Sequence, residues 1–181
     1  MSTRMSREWH PMTDVVLRLL LPDDAALLEA EQTPELDPFN WHGFRRSGRL
    51  RARLESGEDV TAERGTFAIS DSGGRLLGDI SWRHIQTAPS AASSCWEIGV
   101  LVLSGERGRG VGSAAQRLVA AYLFDTTLAQ RVQASTDIAN IAEQRALEKA
   151  GFVREGVLRQ YQYRQGQWHD MVSYSKLRGE S

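Results

Sequence analysis

The stretch that decides the fold runs from Leu101 to Tyr122 and reads LVLSGERGRGVGSAAQRLVAAY. An apolar run ends at Leu103, and four glycines follow, Gly105, Gly108, Gly110 and Gly112. Val111, Ala115, Leu118, Val119 and Tyr122 then recur at helical spacing. The pattern predicts a strand, a glycine-rich turn and an amphipathic helix in direct succession. Two phosphate-loop signatures fail on it. Gly105 to Gly110 has Walker A spacing, but Val111 and Gly112 stand where Lys and Ser or Thr are needed. A dinucleotide pattern starting at Gly108 ends on Ser113 instead of glycine, and no repeated βαβ array precedes it. What survives is physical. Successive amides of a loop leading into a helix N-terminus converge on one point, where unpaired donors and the helix dipole favour a phosphate. Arg107 and Arg109 add charge there. A bare turn is the alternative, but alternating glycines exceed what a turn requires.

Outward from this stretch, CWEIGVLVL (95–103) is apolar on both faces at its end and predicts a central strand. RGTFAIS and RLLGDISWRHI, joined by DSGG, predict a hairpin before it. VVLRLLL stops at Pro22 and leads into a helix that Asp23 or Asp24 can cap. Prolines, an aromatic cluster and a basic amphipathic helix around Leu50 and Leu54 follow. After the glycine loop come a short strand (RVQAST) and a helix (NIAEQRALEKAG) with Asn140 as cap, Glu143 completing a capping box and Gly151 as stop. A closing hairpin spans FVREGVLRQYQY and QWHDMVSYSKL. This order predicts one α/β domain with a mixed sheet over residues 15–178, preceded by a flexible tail, 1–14.

With 181 residues, 41% hydrophobic and 25% charged, the chain has the composition of a soluble globular domain. A net charge of -1 gives no global pull toward nucleic acid or an anionic membrane. The lone Cys95 excludes an internal disulfide and reads as a packed core thiol, which predicts a cytoplasmic setting. No run is long enough to span a membrane, and the N-terminus lacks the apolar segment of a signal peptide. His10, His42, His84 and His169 are scattered, without metal-site spacing.

The arrangement Arg107-x-x-Gly110-x-Gly112, between strand and helix, resembles the acyl-coenzyme A loop of the GNAT N-acetyltransferase superfamily. The segments 96–124, 131–156 and 159–177 resemble, in order, those of its ribosomal-protein alanine acetyltransferase type. The resemblance implies a mostly antiparallel sheet splayed between two parallel strands and flanked by helices. It implies acetyl-CoA as cosubstrate, no metal and a primary amine as acceptor: a protein N-terminus, an amino acid or an antibiotic. It leaves room for a homodimer. Carried over by position, Val100, Leu101 and Val102 lie beside the pantetheine arm. Arg107, Gly108, Arg109, Gly110, Val111, Gly112 and Ser113 surround the pyrophosphate, and Asn140 bonds the coenzyme or simply caps its helix. A strand amide near Leu101 is the oxyanion donor.

For the proton acceptor, Glu97 leads, with Asp79 and His84 next; Glu97 can instead pair with Arg83 on the neighbouring strand. Many relatives carry a tyrosine where this chain has Leu147, and others a serine early in that helix, where Glu143 and Gln144 stand. A catalytically silent acyl-CoA-binding domain is therefore the alternative. Trp41, His42, Phe44, Trp82 and Tyr161 are candidates for the acceptor pocket, though aromatics in such segments also serve as core.

Overall fold

The computed structural model describes residues 14–43, 48–57, 60–90 and 92–180. Most of the N-terminal tail, together with Phe44, Arg45 and Arg46 of the basic stretch, lies outside them. Elements follow the order β1 (Val16–Leu19), α1 (Asp24–Glu31), α2 (Arg49–Glu55), β2 (Arg64–Ser70), β3 (Leu76–Gln86) and β4 (Ser94–Val102). After a single 3-10 turn at Ser104–Glu106 come α3 (Val111–Thr126), β5 (Arg131–Asp137), α4 (Ile141–Lys149), β6 (Val153–Arg164) and β7 (Gln167–Leu177). The seven strands form one sheet ordered β1-β2-β3-β4-β5-β7-β6. Every neighbouring pair is antiparallel except β4 and β5. β4 is the middle strand, as its apolar end predicts. β7 rather than β6 lies beside β5, which leaves β6 at the edge.

Side chains alternate along β3 and β4 and give the two faces different tasks. Ile80, Trp82, Trp96 and Ile98 face α3 and pack with Val111, Ala115, Val119 and Leu123 in the main core. A smaller cluster of Leu20, Leu28, Ala68 and Leu76 lies under α1 and α2, with Leu101 and Leu103 against it. Cys95 is buried and unpaired, and desolvation pushes its thiol up. Among the described residues no helix is long and apolar enough to cross a membrane.

Two local expectations take another form. Asp23 makes no side-chain cap on α1. Asp24 instead accepts from the Leu21 amide at 2.8 Å and from Arg18 at 2.7 Å, because Arg18 on β1 draws the carboxylate back toward the sheet. At α4, Asn140 accepts from the Glu143 amide at 3.2 Å, as a cap should. The box does not close, however. The Asn140 amide donates to Asp137 O at 2.9 Å, and the Glu143 carboxyl is taken by Gln116 of α3.

Candidate active site

β4 and β5 part within the sheet. Their parallel pairing covers only Trp96↔Val132 and Glu97↔Gln133, whereas β4 stays paired to β3 as far as Val102. From Ile98 onward the β5-facing edge of β4 therefore lacks a strand partner, and its peptide groups are open to an extended ligand. Directly beyond, α3 begins at Val111 on Gly110, which adopts φ +83 and gives no side-chain cap. The first-turn amides of an α-helix have no partner inside the helix, so this end presents unpaired donors. Gly108 (φ +74) and Gly110 both take the left-handed conformation, and open space surrounds their Cβ positions. A cavity of about 520 Å³ runs along these features. Every cofactor candidate lines it except Arg109: Val100, Leu101, Val102, Arg107, Gly108, Gly110, Val111, Gly112, Ser113 and Asn140. An uncapped helix end, an unpaired strand edge and a cavity of ligand size fit a phosphate-bearing arm such as that of coenzyme A.

The two arginines serve the loop's own structure. Arg107 donates from Nε to Val102 O at 2.9 Å and from Nη1 to Leu36 O at 2.5 Å. Arg109 pairs with Glu106 at 2.6 Å, and Glu106 also receives Arg75. The donors left free at this end are thus the backbone amides at the start of α3, and Arg107 pins the segment that crosses above.

That segment, Glu35 to Trp41, is held from both sides. Arg164 bonds Phe39 O and the carboxylate of Asp137, and Gln165 donates to Pro38 O and Trp41 O, each at 3.4 Å. Asp37 and Asn40 line both the coenzyme-side cavity and a second one of about 400 Å³ on the α1/α2 face. The second cavity brings together Trp41, His42, Asp37, Asp79, Ser81 and Gly99. Burial pushes the Asp79 carboxyl up to about 7; Arg53 opposes this and Asp37 reinforces it. Burial likewise raises Asp37, against the hydrogen bond from Asn40.

The remaining candidates lie apart from it. Glu97 shares the face of Asp79 but is ion-paired with Arg83, the residue opposite it in register, and lines neither cavity. His84 is on the other face, exposed, its ring edge-on to Trp96 at 5.3 Å. Trp82 is on that face too, 4% exposed and packed against Phe67 and Tyr122. Tyr161 is 56% exposed on the edge strand β6. Phe44 lies outside the described residues.

Residues the sequence does not single out complete the site. Asp37 and Asn40 lie in an irregular segment with no periodicity to read. Gln116 carries a legible signal, because it continues the buried helical stripe with Val119 and Leu123, where an amide needs a reason to be. Leu147 is wholly buried.

The family model described as an acetyltransferase (GNAT) domain matches residues 14–153, and the chain belongs to that family. It is 32% identical over 126 residues, 70% of its length, to the probable N-acetyltransferase YjcK of Bacillus subtilis strain 168. The chain spans between 54% and 66% of the length of the curated relatives it matches. A candidate acetyltransferase from T. thermophilus superposes with a TM-score of 0.69 at 31% identity, over 92% of this chain and 87% of that one. Mycobacterium smegmatis RimJ, solved with CoA-disulfide, shares the fold with a TM-score of 0.73 at 23% identity, over 93% and 84% of the two chains.

Proposed function

We propose that this chain moves an acetyl group from acetyl-CoA to a primary amine, within the single domain 15–178. The carrying observation is the parting of β4 from β5 beside the uncapped start of α3. It provides peptide groups for a pantetheine arm and amides for its phosphates, in one continuous cavity. Acetyl-CoA, once bound, supplies the activated acyl group. The 400 Å³ cavity opens toward the same strand from the opposite face, so an amine approaching there meets the thioester at Gly99 to Leu101.

Asp79 receives the amine's proton. A carboxyl with a pKa of about 7 suits a base working near neutrality, and no side-chain partner among the described residues ties it up. Asp37 and Asp79 together draw a protonated amine in, and Trp41 offers an aromatic wall to it. A strand amide near Leu101 stabilises the developing oxyanion. Membership of an acetyltransferase family, with a poised carboxyl in the acceptor cavity, supports an active enzyme over a silent binding domain. A cytoplasmic location accords with the unpaired Cys95. A homodimer is read by sedimentation.

Thiol release from acetyl-CoA against a panel of amines, N-terminal peptides and aminoglycosides tests the proposal. Turnover with one class is expected. No binding of acetyl-CoA at millimolar concentration by calorimetry sinks it.

A further inference from the structure

Gln116 is 1% exposed, yet its amide meets the narrow cleft where β4 parts from β5. Its Nε2 donates to Glu143 Oε1, while its own Oε1 has no hydrogen-bond partner among the described residues. Buried polar atoms are almost always paired, so an orphan acceptor lining a cleft points to a donor arriving with a ligand. Glu143 borders that cleft and also the larger coenzyme-side cavity, at the junction of the two. Gln116 is the only side chain among the described residues that bonds its carboxyl.

The charged groups around it are otherwise engaged or do not pair with it. Asp137, across the cleft on β5, is tied to Arg164. Asp37 borders the larger cavity from the crossing segment, and Arg107 is turned to the Val102 and Leu36 carbonyls. Arg145 and Lys149 line that cavity further along α4 without an ion pair to Glu143. With no cation paired to it, the carboxyl holds its proton up to about neutrality, even though the Gln116 amide favours the ionised form. Burial accordingly pushes it up to about 7.

We propose that Glu143 is the proton donor to the coenzyme's sulfur at the moment the acetyl group leaves it. The inference rests on the acetyl-transfer function proposed above. Glu143 gives its proton to sulfur as the carbon–sulfur bond breaks and the carbon–nitrogen bond forms. Asp79 takes the proton that the amine nitrogen sheds. Water then returns a proton to Glu143 and removes one from Asp79, so the balance closes on an amide and a free thiol with no further reactant. Leu147 supplies no proton, and Gln116 orients the carboxyl toward the cleft.

The test uses the full chain labelled with carboxyl-carbon-13 glutamate. Wild type is expected to show one glutamate titrating near pH 7 that disappears in Glu143→Gln. The variant's kcat at pH 7 falls by about 100-fold, while its calorimetric Kd for coenzyme A stays within about threefold of wild type. Gln116→Leu, which strips the partner and leaves the donor, moves the alkaline limb of kcat to higher pH. Should Glu143→Gln fold poorly, the wild-type titration and the Gln116→Leu profile still decide. The proposal is overturned if no glutamate titrates above pH 6. It is overturned equally if kcat of Glu143→Gln stays within threefold, or if coenzyme binding weakens in proportion to kcat. Wild type that binds coenzyme A and turns over, with Glu143→Gln fully active, removes the donor alone. Wild type that binds none removes the transfer reading as well.

Discussion

Asp79 of β3 stands directly opposite Leu101 of β4, at the end of β4 that has left β5. The approach is close: a Cβ at the adjacent Gly78 would meet Leu101 O at 2.1 Å. The pairing holds a desolvated carboxyl one strand away from the open, β5-facing edge of β4. On the proposed mechanism, Asp79→Asn keeps the shape and removes the base. Turnover at pH 7 is expected to fall by about 100-fold and to recover partly as pH rises and the amine loses its proton unaided. A pH–rate profile that overlays wild type would take Asp79 out of the mechanism.

Gly110 gives the loop a backbone conformation that L side chains rarely adopt, at the start of α3 where the proposed function places the coenzyme phosphates. Gly110→Asp adds backbone strain and a carboxylate facing the phosphates. Acetyl-CoA should raise the melting temperature of wild type and leave this variant unchanged. Arg109→Ala, whose side chain is already paired with Glu106, should weaken binding by less than about tenfold. Loss of all binding in Arg109→Ala would mean that the side chain and not the backbone dominates.

The ion pair of Arg83 with Glu97 joins a mostly exposed guanidinium to a shielded carboxylate. Such a pair contributes about 1 kcal/mol or less. Glu97→Gln should therefore lower thermal stability slightly and leave the pH–rate profile of the folded enzyme in place. A fall of about 100-fold, rescued at high pH, would instead transfer the role of base from Asp79 to Glu97.

Two carboxyls with pKa values raised to about 7 also make stability depend on pH. Between their unfolded values and 7 the folded state holds more protons than the unfolded one, so their contribution to stability falls as pH rises and flattens above 7. Asp79→Asn should therefore gain on wild type across that window, by up to roughly 4 kcal/mol at pH 8 relative to pH 4. Glu155 works in the opposite sense. Arg131 holds it down to about 2, so the stability it adds is present above the ordinary glutamate range and is lost as pH falls toward 2. Denaturant midpoints of wild type, Asp79→Asn and Glu155→Gln from pH 3 to 9 check both signs. Parallel curves for all three would refute them.

The sequence by itself determined the elements and pointed to the loop on which the candidate site is built. Period-two and period-3.6 patterns are local, and so are the stops at Pro22 and Gly151. A strand, an unusual glycine spacing and an amphipathic helix in direct succession point to a helix end suited to an anion without any knowledge of distant residues. The family resemblance, resting on several such segments in order, is borne out by the match over residues 14–153. Tertiary structure alone decided the rest. That β7 and not β6 pairs with β5 depends on long-range register, to which a hairpin pattern is indifferent. Alternation placed Glu97 and Asp79 on one face, but only the sheet shows one of them ion-paired and the other in a cavity beneath a segment pinned by Arg107, Arg164 and Gln165. Glu143 is the sharpest case. Three residues after an N-cap, a glutamate satisfies a local rule. Here the cap's own amide is already bonded to Asp137, and a buried amide on a different helix claims the carboxyl. Which partner wins depends on what folding brings within hydrogen-bond reach, and spacing along the chain does not carry that information.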